Sequence, residues 1–300
     1  MNDRTTSTGV DLFRSPPDRH VAVSGGTVAV RSIGAGPDVL FVHGWPVSGA
    51  TFRYLMPHLA EDFRCHVIDL PGAGDSRFDR DTPLGIAEHA ASVRTVVDAL
   101  GLDDVAVVGH DSGGLIARHA LAGDPRVRAW GLVATEQTGR RSLRFASFLA
   151  LRHVPGVGRP LTAALTTPAL RRLRVALGDC FADRGRLDGE FAEFFLDPLR
   201  HDADRRWAVG KLLRTFDVGA IAALPRLHRA IEVPVALVYG EADAFFPVER
   251  AREMVSTFGG PVALAAIPGG RLFVHEESPR QVAEALRPVL GHTQGGADVS

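Results

Sequence analysis

Lysine is nearly missing from this chain. Lys211 is the only one among 34 basic residues, the rest being arginine, which nearly excludes cofactor chemistry that runs through a lysine Schiff base. Cysteine is almost as scarce: Cys65 and Cys180 lie far apart in apolar surroundings, so neither a disulfide framework nor a thiolate metal site is expected, and two buried thiols suit a reducing cytoplasm. No hydrophobic run approaches the length of a membrane span, and Met1-Asn2-Asp3-Arg4-Thr5-Thr6 lacks the apolar stretch of a signal peptide; a soluble, cytoplasmic protein is the expectation. An excess of charge is lacking too. A net charge of -1 gives no global attraction to nucleic acid or to an anionic membrane. Tyrosine occurs only twice, as Tyr54 and Tyr239.

What is present suits one globular unit, or a core carrying an inserted subdomain: 300 residues, 45% hydrophobic and 23% charged. Short apolar runs at Val21–Val23, Thr27–Ser32 and Val39–Val42 predict a meander entering a sheet. Helices at Phe52–Leu59, Ile86–Leu100 and Leu115–Ala122 then alternate with strands at Cys65–Leu70, Val105–Val108 and Leu132–Ala134, a rhythm that builds a mostly parallel sheet. From 137 to 227 the pattern turns helical, rich in Arg, Leu, Ala and Phe and broken by Pro155, Pro160, Pro168 and Pro198. Strands resume at Val233–Tyr239 and Val262–Ile267, with helices at Val248–Phe258 and after Ser278-Pro279. The expected division is a loose segment 1–20, a core 21–136, a helical lid 137–227, the rest of the core 228–290, and a loose tail 291–300.

The chemistry concentrates in Gly109-His110-Asp111-Ser112-Gly113. Here a strand runs through a sharp turn into a helix, with glycines two positions either side of an aspartate where a tight turn leaves no room for a Cβ. The pattern is G-x-D-x-G in the frame usually written G-x-S-x-G, which makes Asp111 the apex nucleophile. Moving the frame to Ser112 would put His110 where a small residue is needed. A carboxylate nucleophile implies attack at carbon and an alkyl-ester intermediate.

Together with His43-Gly44-Trp45-Pro46 and Asp69-Leu70-Pro71-Gly72-Ala73-Gly74-Asp75-Ser76, this elbow resembles the α/β-hydrolase superfamily, in its branch of haloalkane dehalogenases, fluoroacetate dehalogenases and epoxide hydrolases. The resemblance implies a mostly parallel twisted sheet flanked by helices, with an inserted helical lid. It also implies an oxyanion or leaving-group site at the backbone N–H groups of Trp45 and Ser112. The acid that orients a catalytic histidine would be Asp243, in Gly240-Glu241-Ala242-Asp243 with Pro247 following, or alternatively Glu136.

The histidine itself is missing from its usual place. In Gly270-Arg271-Leu272-Phe273-Val274-His275-Glu276-Glu277-Ser278-Pro279, Leu272 occupies the histidine slot and His275 follows three residues later. If the segment is helical, positions three apart share a face and His275 approaches the site. Attack by Asp111 needs no base, whereas hydrolysis of the ester does. The expected activity is therefore displacement at carbon by Asp111 on a small apolar substrate, similar to haloalkane dehalogenases. The alternative is a lyase, isomerase, cyclase or ligand-binding protein on the same fold. Epoxide hydrolysis is disfavoured because neither tyrosine lies in the lid, and fluoroacetate because Ser112 stands where those enzymes carry arginine. Trp207 either descends toward the site or packs on the core. Phe181, Phe191, Phe194 and Phe195 are expected at the lid–core interface or in a pocket, and the arginines 140, 141, 144, 171, 172 and 174 on a solvated face or an anion-attracting lid. No motif implies a metal or organic cofactor.

Overall fold

The computed structural model describes residues 3–292, so of the tail expected at 291–300 all but Gly291 and His292 lies outside the described residues. Nine strands form one sheet: β1 (Arg19–Val23), β2 (Gly26–Ile33), β3 (Asp38–Val42), β4 (Arg64–Asp69), β5 (Arg77–Phe78), β6 (Val105–His110), β7 (Val127–Val133), β8 (Val235–Gly240) and β9 (Val262–Ile267). Their order is β1-β2-β4-β3-β6-β7-β8-β9, with β5 against β2. β1 pairs β2 and β2 pairs β4 antiparallel; every neighbour from β4 to β9 is parallel. Parallel strands covered on both faces read as continuous apolar runs, which is why β6, β7 and β8 are buried along their whole lengths.

The chain leaves β3 toward β4 and returns to β6 on the other side, so a topological switch point falls between the carboxyl ends of β3 and β6, where open α/β sheets form their ligand crevices. Core helices α1 (Asp3–Arg14), α2 (Met56–Leu59), α3 (Ile86–Leu100) and α4 (Ser112–Leu121) belong to the first half of the chain. Between β7 and β8 run α5 (Leu143–Ala150), α6 (Gly158–Thr166), α7 (Pro168–Arg171), α8 (Pro198–His201), α9 (Ala203–Thr215), α10 (Val218–Ala222) and α11 (Leu224–Arg229), with short single turns between them and no strand. α12 (Val248–Met254), α13 (Val274–Glu277) and α14 (Pro279–Leu290) complete the core. Among the described residues no helix is long and apolar enough to cross a membrane.

Several expectations need correction. The expected helix at 52–59 is a 3₁₀ turn, Gly49–Phe52, followed by α2 with a proline at its start; proline fits the first turn of a helix because it has no N–H to leave unpaired. The one at 248–258 ends as a 3₁₀ turn from Val255. The two-residue β5 was too short to show a periodicity. Segment 1–20, expected to be loose, is ordered into secondary structure at residues 3–14 and 19–20. It forms α1 and β1, and the end of α1 is docked through Arg31, whose guanidinium donates to the carbonyls of Leu12 (3.1 Å) and Ser15 (2.9 Å) and lies 5.4 Å over the Phe13 ring. Asp69 and Asp75 balance that buried charge. The amphipathic turn carrying Val10 and Phe13 is buried, so Phe13→Ala is expected to lower the unfolding free energy by about 3 kcal/mol in a urea titration. A change within ~0.5 kcal/mol, the usual surface value, would mean that this helix is not docked.

Candidate functional site

Every loop that carries a predicted site residue leaves the carboxyl end of a parallel strand: Trp45 after β3, Asp111 after β6, Glu136 after β7, Asp243 after β8 and Leu272 after β9. At the elbow the close approach of backbones governs the sequence. A Cβ on Gly113 would meet the carbonyl oxygens of Val42 and His43 at 2.3 Å, and one on Gly109 would meet the Gly114 Cα at 2.5 Å. Neither glycine has a positive φ; that strain falls on Asp111, at φ 50°, ψ −137°, a conformation that costs on the order of 1–3 kcal/mol. It is held by hydrogen bonds on both sides. The Asp111 N–H donates to Ala134 O (3.1 Å), and Asp111 O accepts from Gly114 N (2.9 Å) and Thr135 Oγ1 (2.8 Å).

The carboxylate turns toward the β3 loop. Asp111 Oδ2 accepts from the Trp45 N–H at 3.0 Å, the same N–H also reaches Ser112 Oγ at 3.1 Å, and the Ser112 amide adds its stabilisation. The backbone N–H groups of Trp45 and Ser112, expected to form an oxyanion or leaving-group site, both face the Asp111 carboxylate. Burial nonetheless raises the Asp111 pKa well above the ordinary carboxylate range, and the neighbouring charges of Glu136 and Asp243 push it the same way.

Asp111 and Ser112 lie in the wall of a cavity of about 110 Å³. Its core side is formed by His43, Trp45, Ser48, His89, Glu136, Leu272 and Phe273, and its roof by the helical insert through Phe145, Phe148, Ala176, Leu177, Cys180, Phe194, Phe195, Val209 and Phe216. Phe181 and Phe191 instead pack on Phe273, with ring centroids 4.9 and 5.2 Å from it, so the insert phenylalanines divide between interface and cavity. Trp207 is not in the wall and lies under Lys211 Nζ at 5.5 Å. Nor are the two tyrosines: Tyr54 donates to Glu190, and Tyr239 to Thr135 O. Four of the six arginines singled out in the insert are paired with acids, Arg171 and Arg172 with Asp188, and Arg144 and Arg174 with Asp179.

The two candidate acids differ in what they face. Asp243 is buried outside the cavity wall; Oδ1 accepts from Phe245 N (2.8 Å) and Phe246 N (3.1 Å), and Oδ2 has no partner. Desolvation raises its pKa to about 6. Glu136 is in the wall, 1% exposed. Its Oε2 accepts from Thr135 Oγ1 (3.1 Å) and Oε1 has no partner; burial raises its pKa, and Arg118 only partly opposes this.

No imidazole joins these groups. Leu272, which the resemblance puts where a histidine is expected, lines the cavity, and His275 is not in its wall. Its Nε2 bonds Thr51 Oγ1 at 2.8 Å and its ring lies 4.1 Å from that of His110, behind the elbow. The physical reason is local: Phe273, at φ −90°, ψ 42°, stands at the start of α13 in a non-helical conformation, so residues 272 and 275 are not one helical turn apart on a shared face. The expectation that His275 approaches the site is not met by this geometry. His43 has both nitrogens engaged, by Gly44 O and Leu70 N. The insert's His153 bonds Arg152, its His201 is exposed, and His228, at its end, is held by Arg118 and Thr257. His89 is the cavity residue that sequence reasoning missed; burial lowers its pKa to about 3, and its charge interaction is with His43 rather than Asp111. It sits on α3, outside every recognisable motif.

The chain matches the alpha/beta hydrolase fold family over residues 37–279, and it belongs to that family. It is 31% identical over 230 residues to a pimeloyl-[acyl-carrier protein] methyl ester esterase of Chromobacterium violaceum, covering 74% of this chain and 82% of that protein. The magnesium-chelatase 30 kDa subunit of Rhodobacter capsulatus is 28% identical over 246 residues, 80% of this chain and 82% of the relative. Among solved structures, haloalkane dehalogenase DbeA from Bradyrhizobium elkani superimposes with a TM-score of 0.73 at 25% identity, covering 90% of this chain and 97% of that one.

Asp243 carries a pH signature. Unfolded, it ionises near the ordinary value of 3.8; folded, near 6. Between these values the native chain holds a proton that the unfolded chain has released, so its contribution makes stability fall as pH rises through that window and level off above it. Asp243→Asn removes this contribution, so in denaturant unfolding the stability of the variant relative to the parent should increase as pH rises between about 4 and 6. Identical curves would place the raised titration elsewhere.

Proposed function

We propose that Asp111 displaces a leaving group from an electrophilic carbon of a small, largely apolar substrate. Asp111 Oδ forms a bond to the carbon, the bond from carbon to the leaving group breaks, and the electron pair departs with that group, leaving an alkyl ester on the protein. The observation that supports this reading is the Asp111 carboxylate at the elbow apex, fixed on the Trp45 N–H at 3.0 Å in the wall of a cavity roofed by apolar side chains. Positioning of this kind favours a direct attack, since the nucleophile needs no proton removed once it is ionised.

The second half of a hydrolytic cycle has no base in its usual place. Water attacking the ester needs an imidazole or its equivalent, and Leu272 fills that position. The alkyl-enzyme is therefore expected to accumulate. Leu272 equally favours a second reading, in which Asp111 acts as a general base in an isomerase, lyase or cyclase, or the cavity simply holds a ligand. Ester hydrolysis of the kind named for the Chromobacterium relative finds less support, because no histidine bonds the Ser112 hydroxyl among the described residues.

Intact-protein mass spectrometry after incubation with a panel of haloalkanes and epoxides, with halide release followed in the same samples, tests this reading. A mass increase stoichiometric with one alkyl group, absent in Asp111→Asn, is the expected result. No adduct and no halide from any of them would leave the second reading in its place.

A further variant examines the base. Leu272→His is expected to shorten the lifetime of the adduct by about 100-fold, in the range that a positioned general base supplies. An unchanged lifetime would mean that hydrolysis is not limited at that position.

A further inference from the structure

The hydrogen-bonding groups of the cavity are unbalanced. Of its N–H donors, the Trp45 amide is engaged by Asp111 Oδ2 and Ser112 Oγ, the Trp45 indole donates to Val209 O at 3.1 Å, and His43 is held by Gly44 O and Leu70 N. The one arginine in the wall, Arg205, is tied through Nε to Asp202 at 3.2 Å. His89 is neutral, its pKa lowered to about 3 by burial. The neutral His89 ring keeps one N–H donor and its Nδ1 has no partner, so His89 and the hydroxyls of Ser48 and Ser112 are the remaining neutral donors.

Acceptors are in surplus by comparison. Glu136 is 1% exposed, lines the cavity, and has an Oε1 with no partner. Arg118, the buried cation nearest to it, sends its N–H groups to Gly114 O, His228 Nε2, Thr135 Oγ1 and the Glu136 backbone carbonyl, and none to the Glu136 carboxylate. Asp111 faces the same space with its charge raised in cost by Glu136 and Asp243. A buried carboxylate is expensive; Arg118 offsets that cost for Glu136 only in part, and a ligand that brings further positive charge recovers more of it.

The walls suit one kind of cation. Trp45, Phe148 and Phe245 all line the cavity, with Phe148 between the other two at centroid separations of 5.1 Å (Trp45) and 6.2 Å (Phe245), and Phe245 already holds the Arg144 guanidinium 4.5 Å from its ring centroid. Aromatic faces attract quaternary and tertiary ammonium groups and do not require them to donate hydrogen bonds. Among the described residues no group of three His, Cys, Asp or Glu could hold a metal ion.

We propose that the cavity recognises a substrate bearing an alkylammonium head, its positive charge set against Glu136 and Asp111 and its methyl groups against Trp45, Phe148 and Phe245. This deepens the displacement reading and rests on it for the role of Asp111. A cation in the cavity also favours the ionised form of Asp111, the form that attacks, so binding the substrate and arming the nucleophile become one event.

The test compares choline with 3,3-dimethyl-1-butanol, the neutral molecule of the same shape, by titration calorimetry on the intact chain at one pH. Choline is expected to bind at least about tenfold tighter, the equivalent of ~1.4 kcal/mol for a buried cation against carboxylate and aromatic faces. Glu136→Gln, isosteric but uncharged, should reduce that preference severalfold while its thermal unfolding stays cooperative. Equal or tighter binding of the neutral alcohol to the parent chain overturns the proposal, and that comparison needs no variant. The outcome is separable from that of the haloalkane experiment: an Asp111 adduct with neutral haloalkanes alongside no ammonium preference sinks only the substrate class, whereas ammonium preference with no adduct from any electrophile sinks only the displacement reading.

Discussion

The distance between two stretches of backbone, the loop after β3 and the turn from β6 into α4, sets the rest of the site. With no Cβ on Gly113, the carbonyls of Val42 and His43 come close enough to the start of α4 for the Trp45 N–H to reach across to the elbow. Asp111 then has little choice of conformation: it is driven to φ 50° and its carboxylate lands 3.0 Å from that N–H. The strain is local and is carried by a fully buried strand, β6, paired in parallel on both sides with β3 and β7. A rigid parallel sheet is what lets one residue keep an unfavourable backbone without the turn relaxing.

Much of this was legible in the sequence because it rests on short-range rules. Gly109, Asp111 and Gly113 announce the elbow through sterics alone. The strand predicted at Val262–Ile267 and the helix predicted at Ile86–Leu100 have the bounds the structure gives them, since their apolar periodicity and caps are local properties. What was not legible depends on long-range contact. Val10 and Phe13 carry too few apolar positions to outweigh a polar, proline-containing segment, and only the docking of Arg31 makes that helix part of the core. His275 misled for a related reason. Its three-residue spacing from Leu272 supposes a helix already begun, whereas the non-helical backbone of Phe273 delays it, and the ring turns to Thr51 and His110 instead.

The candidate acids illustrate the same division at the level of charge. Position in the chain predicts that Asp243 and Glu136 follow β8 and β7; it does not predict which oxygens find partners. Asp243 Oδ1 is satisfied by two amides of its own loop, and Oδ2 by nothing. Glu136 is satisfied on one oxygen by its neighbour Thr135 and left open on the other. Both open oxygens are the kind that a ring nitrogen would fill, and a leucine at 272 cannot donate.

An imidazole at position 272 would therefore do more than supply a base. An acid–imidazole pair shares its charge over two groups and turns a buried carboxylate into a satisfied one. Burial dominates here, and Asp111, Glu136 and Asp243 are all pushed toward the protonated state. The Arg118 guanidinium, fully buried, is the positive charge that remains near Glu136, and its donors are taken by carbonyls, a hydroxyl and His228. The polarity of the cavity is consequently sensitive to the protonation of Asp111 and Glu136, and Glu136 Oε1 is the carboxyl oxygen in its wall left without a partner. In a space otherwise walled by aromatic and aliphatic side chains, such acceptors discriminate between ligands by charge more sharply than shape alone can, because the cost of leaving them unpaired falls on every neutral occupant alike.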